Sequence, residues 1–183
     1  MLSALTLGFR FADQPELLHC DLNAFPRGRI SEIYGPRSSG RTGLVHSVLA
    51  ASTSQGEHAA LIDTANAFDI CSAAAAGVVL EKLLWVRCGG NAEHALRAAD
   101  LLLQAGGFGV VALDLIDASP QALARIPSTA WFRFRRTIEL TLTIFLVMAE
   151  RPLTKSCAVK RVSLERKPPV FAGAAPFKIL QAS

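Results

Sequence analysis

Apolar runs of strand length alternate along the chain with stretches whose apolar positions recur every three or four residues. Residues 29–34 (RISEIY) form a short β-rich run that stops at Gly35-Pro36. Residues 41–53 place Leu44, Val45, Val48 and Leu49 at helical spacing. Residues 58–63 (HAALID) predict a buried strand, and the Ala-rich stretch 65–77 predicts a helix stopped at Gly77. A strand follows over 83–88 (LLWVRC). Asn91 is a good N-cap for a helix with Ala92, Ala95, Leu96, Ala99, Leu102 and Leu103 on one face, ending at Gly106-Gly107. Residues 109–115 (GVVALDL) are almost continuously apolar, as in a strand covered on both sheet faces.

The second half continues the alternation. A short helix is predicted over 120–126, and a longer one capped by Ser128 and running to residue 140. Strands are predicted over 141–148 (TLTIFLVM) and, alternating and more exposed, over 157–164 (CAVKRVSL). Strands separated by helices of this length predict an α/β fold, with a mostly parallel twisted sheet, flanking helices and right-handed crossovers. Residues 1–167 read as one core. Residues 168–183, rich in Pro and small residues, read as a C-terminal tail, either extended or partner-bound.

Composition narrows this picture at three points. With 183 residues, 51% hydrophobic and 19% charged, the chain suits a single domain with a sizeable core and is not a disordered polymer. The longest apolar run, residues 140–149, is too short to span a bilayer, and the N-terminus has no basic region ahead of its apolar stretch. Cys20, Cys71, Cys88 and Cys157 lack CxxC spacing, so buried reduced thiols in a cytoplasmic protein are expected. The formal charge of +4 is compatible with nucleic acid but does not point to it.

The chemistry concentrates in Gly35-Pro36-Arg37-Ser38-Ser39-Gly40-Arg41-Thr42. This is the phosphate-loop pattern, following a strand and opening a helix, with arginine in place of lysine. In such a loop, glycines let backbone N–H groups converge on phosphate and the helix N-terminus adds positive potential. Thr42 is the candidate hydroxyl for Mg²⁺. Asp114, ending the apolar strand, is the candidate acid for the magnesium shell. Arginine is a wide planar fork and cannot simply take the seat of a lysine point charge. The plain alternative is a strand-to-helix turn kept for folding. On that view Gly40→Ala is expected to strain the backbone and Arg41→Ala to do little to stability.

These motifs together resemble the RecA recombinase family. Residues 27–44 (RGRISEIYGPRSSGRTGL) resemble the stretch leading through its phosphate loop. Residues 61–69 (LIDTANAFD) resemble its next strand and turn, and 93–106 followed by GVVALD its helix and Walker B strand. The likeness covers roughly 24–115 and resumes weakly at 143–150 and 160–166. It implies a RecA-like P-loop core, truncated relative to RecA. It also implies losses. The catalytic glutamate of the family falls on Ala65, which does no acid–base chemistry. Asp69 matches an acid that touches adenine, but the stacking aromatic has become Ser72. Leu115 stands where a small polar residue is expected, and Glu150 where the family has a glutamine sensor.

The short chain with IPSTAWFRFRR after Walker B resembles, more narrowly, the ImuA-type proteins of the SOS response. That resemblance implies a non-hydrolysing adaptor in error-prone translesion DNA synthesis. Its partners would be an ImuB-like inactive Y-family polymerase relative, an error-prone replicative-type polymerase and RecA, with DNA a weak further ligand and self-association open. No cofactor is required, and ATP–Mg²⁺ is the candidate if one binds. Two alternatives stay open: an ATP- and DNA-binding RecA paralogue with weak ATPase, and an SOS cell-division inhibitor on the same fold. Trp131, Arg133, Arg135 and Arg136 are the candidate partner or DNA contacts. Against that stands an ordinary amphipathic helix whose aromatics reach the core.

Overall fold

The computed structural model describes residues 24–166, together with the backbone of two strands, Pro169–Ala172 and Ile179–Ala182. Its centre is a six-stranded, all-parallel sheet in the order β3-β2-β4-β5-β1-β6. The strands are β1 (Ile30–Tyr34), β2 (His58–Asp63), β3 (Leu83–Arg87), β4 (Phe108–Asp114), β5 (Ile144–Ala149) and β6 (Ala158–Ser163). The two remaining strands, β7 and β8, pair antiparallel within residues 168–183.

The sheet separates two apolar layers, because successive strand residues face opposite sides. On one side α1 (Arg41–Ser54) and α2 (Ile70–Ala75) cover Leu61, Ala112, Leu146 and Met148. On the other, α3 (Ala92–Ala105), α4 (Pro120–Ala124) and α5 (Ser128–Ile138) cover Ile62, Leu113, Phe145 and Val147. The central strands β4 and β5 are buried on both faces, which explains why both read as unbroken apolar runs. Each fully buried Val, Leu or Ile contributes roughly 1.5–3 kcal/mol.

Two predicted helices differ from the observed ones. The stretch 65–77 is helical only over Ile70–Ala75. Asp63 accepts hydrogen bonds from the amides of Ala67 and Phe68, holding a turn there, and Asp69 then caps α2 through the amides of Cys71 and Ser72. Ser128 is the first residue of α5, and Pro127 occupies the cap position. Asn91 does cap α3, accepting from the amides of Glu93 and His94. Of the cysteines, Cys88 and Cys157 are buried but Cys71 is exposed on short α2, contrary to the expectation of buried thiols; Cys20 lies outside the described residues. Among the described residues no helix is long and apolar enough to cross a membrane.

Candidate phosphate-loop site

The chain leaves β1 at Tyr34 and enters α1 at Arg41, so the loop sits at the C-terminal edge of the sheet, where open parallel sheets place their ligands. Gly35 packs against the backbone of Leu164, and a Cβ there would overlap the Leu164 carbonyl oxygen. Gly40 is the N-cap of α1 with φ +87°, a conformation that costs any other residue strain. The loop glycines are therefore required by backbone geometry alone. Pro36, Arg37 and Ser38 are exposed, and so is Thr42 in the first turn of α1. The Ser39 hydroxyl is buried with no hydrogen-bond partner among the described residues.

Arg41 turns inward. It is 5% exposed, and its Nη1 donates to the carbonyl oxygen of Ala149, the last residue of β5, at 3.0 Å. The guanidinium thus ties the start of α1 to the neighbouring strand and does not stand over the loop. This corrects the expectation that Arg41→Ala is mild, since the side chain is a buried, hydrogen-bonded part of the core. The exposed loop cation is Arg37, which pairs with Asp117 at 2.6 Å and approaches Glu150 at 4.0 Å.

Carboxylates gather opposite the loop. Asp63 and Asp114 end adjacent strands in register. Asp63 is fully engaged, accepting from two backbone amides and from Trp85 Nε1 at 3.2 Å. Asp114 accepts a single backbone bond, from Ile116 at 2.9 Å. Burial pushes the Asp114 carboxyl up to about 6, with Asp63 and Asp117 adding to the shift and Arg41 opposing it. Asp69 is occupied as the cap of α2, with the Ser72 hydroxyl also donating to it; those bonds hold its carboxyl below the usual range. Ala65 is exposed in the turn after β2. Beside that turn His46 is buried edge-on to Phe68, and burial lowers its pKa.

The second group of candidates does not form one surface. Trp131 is 2% exposed and packs edge-to-face on Phe134, which packs on Phe145. As a partner or DNA contact Trp131 is corrected to a core residue: α5 turns positions 130, 131, 134 and 138 inward. Arg133 is exposed but engaged, its Nε 3.0 Å from Asp100 of α3. Arg135 and Arg136 face solvent.

One buried charge escaped the reading of the chain. Glu32 on β1 is fully buried, and its carboxylate accepts from the amides of Leu153 and Thr154, the Thr154 hydroxyl and Arg161 Nε. It pins the β5–β6 connector to the central sheet. A lone acid inside the apolar run RISEIY was the available signal, because a charge in a central strand requires partners. Elsewhere, a cleft of about 560 Å³ opens between the start of α3 and the α4–α5 turn, lined by Asn91, Leu96, Arg125 and Ile126 among others; it shares no residue with the loop.

Comparison with known proteins identifies the family. The family model of the RecA N-terminal domain matches residues 18–125. Protein RecA of Methylococcus capsulatus is 45% identical over 98 residues, and that of Azoarcus sp. is 42% identical over 102. Protein RecA of Bacteroides thetaiotaomicron is 39% identical over 102 residues. These matches cover 53–55% of this chain and span only 28–31% of the length of those relatives.

Proposed function

The chain belongs to the family of RecA N-terminal domains, and from that premise we propose that it is a non-hydrolysing adaptor of the ImuA type. It acts in SOS-induced, error-prone translesion synthesis through contacts with an ImuB-like protein, a polymerase and RecA. The observation that carries this reading is the position of Arg41, drawn into the fold by the Ala149 carbonyl. A triphosphate with its magnesium fits the surrounding residues poorly. Thr42, in the first turn of α1, and Asp114, at the end of β4, are the residues that would hold a magnesium shell. Yet the loop offers no cation from position 41, Arg37 is paired with Asp117, and Glu150 adds negative charge. Ala65 supplies no base to activate water. The narrower, ImuA-type part of the reading draws its support from the sequence likeness of the segment after Asp114.

Two measurements test it. Phosphate release from ATP is expected to be no faster than for Arg41→Ala, with or without single-stranded DNA. Affinity capture is expected to retain an ImuB-like partner equally with and without nucleotide. An Arg41-dependent ATPase at the rate of a working recombinase overturns the reading, and so does capture of a cell-division protein in place of polymerase partners.

A further inference from the structure

Helix α5 carries an outer face that the fold does not account for. Its inner residues Ala130, Trp131, Phe134 and Ile138 fill the core. Outside stand Phe132, Arg135 and Arg136, at the i, i+3, i+4 spacing that sets side chains next to one another. Phe132 is 51% exposed. Among the described residues no carboxylate comes within ion-pair distance of Arg135 or Arg136. Arg27, Arg29, Arg133 and Arg161 each have one, and Arg37 has two. The negative end of the helix dipole favours two cations in the last turn but does nothing for a half-exposed phenyl ring. The patch extends toward the β5–β6 connector, where Lys155 Nζ donates to Ser128 Oγ at the start of the helix.

We propose that this face docks an acidic segment of a protein partner, which sets an apolar side chain against Phe132 and carboxylates against Arg135 and Arg136. Aromatic and arginine side chains together are the common anchors of protein interfaces. A nucleic-acid strand fits less well. It needs a continuous track of cations and successive stacking rings. Here there is one ring, Arg133 is already paired with Asp100, and Glu139 stands one turn further on, held by Arg29. Those acids end the positive track on both sides but leave room for a short segment. The proposal rests on the adaptor reading, because it requires a protein partner.

The test selects short peptides from a random display library on the full chain and measures their binding by fluorescence anisotropy. Selected peptides are expected to combine acidic residues with an apolar one. Phe132→Ser and the pair Arg135→Glu, Arg136→Glu are each expected to weaken binding at least about tenfold, in chains that still unfold cooperatively. Peptides without acidic bias, or binding that survives both variants, overturn the proposal. So does an oligothymidylate whose binding is lost with the same substitutions, or a dimer of this chain that they dissociate. If the charge-reversed chain still captures the ImuB-like partner, the adaptor reading stands and this surface falls. If no polymerase partner is captured but the acidic peptides still bind here, the reverse holds.

Discussion

Arginine is used in opposite ways at the phosphate loop and on the outer face of α5. At the loop, Arg41 is buried against a backbone carbonyl and Arg37 is held by Asp117 and Glu150. On α5, Arg135 and Arg136 stand in solvent beside an exposed Phe132. The first region directs its charges to itself and the second offers them outward. Arg41 is thereby withdrawn from the loop's surface, and Arg37, though exposed, has carboxylates on its guanidinium. A helix with unpaired cations over a filled core can lose or exchange them without loss of fold. On the reading proposed above, the region that looks like the functional site serves mainly as scaffold, and the outer face of α5 offers the free charge.

The contrast is most severely tested inside the core. Glu32→Ala leaves Arg161 and the connector amides without their acceptor. It is expected to cost about 4 kcal/mol in urea unfolding, the usual range for removing one partner of a buried charge network. Arg41→Ala is expected to cost about 2–3 kcal/mol by the same measurement, through lost packing and an unsatisfied Ala149 carbonyl. If Arg41→Ala proves as mild as a surface change, the loop is not the scaffold described here.

Acid titration sharpens the same comparison. Asp114 titrates near 6 in the folded chain, against 3.8 ordinarily. The folded state therefore holds a proton between those values that the unfolded state has released. The contribution of Asp114 to stability therefore falls as pH rises from about 4 to about 6 and is level above, while His46, whose pKa burial lowers, contributes with the opposite sign. Asp114→Asn is expected to flatten that slope and to raise stability at neutral pH by up to about 3 kcal/mol, the equivalent of a shift of this size. A slope that survives the substitution assigns it to another group. Gly40→Ala is a smaller perturbation, about 1 kcal/mol, because φ +87° strains a residue with a Cβ although nothing lies within 4 Å of it. Smallest is the pair Arg135→Ala, Arg136→Ala, expected to change stability by less than about 0.5 kcal/mol.

Much of the architecture was legible in the chain because local patterns and the fold agree. Strand β2 runs over His58–Asp63, as its apolar run indicates, and Asn91 caps α3 as its position before an amphipathic stretch implies. The aromatic–basic run of α5 was misleading because two rings adjacent in sequence, Trp131 and Phe132, lie about 100° apart around the helix, one buried and one exposed, and only packing settles the helix's rotation. The helix predicted over 65–77 was overlong because its Ala content favours helix, while the side chain of Asp63 stabilises a competing turn.

By itself the sequence determined the alternation of strands and helices, the phosphate-loop backbone with its two required glycines, and the arginine that stands at position 41 of that loop. These are local properties: apolar period, backbone freedom and side-chain identity. Only the tertiary structure decided where the charges go. Whether an arginine serves a ligand, a carbonyl or the solvent depends on which strand end lies within its reach. Ala149, Asp117 and Asp100 lie far along the chain from Arg41, Arg37 and Arg133, and the parallel crossovers of the sheet, with the helices packed on it, bring each pair together.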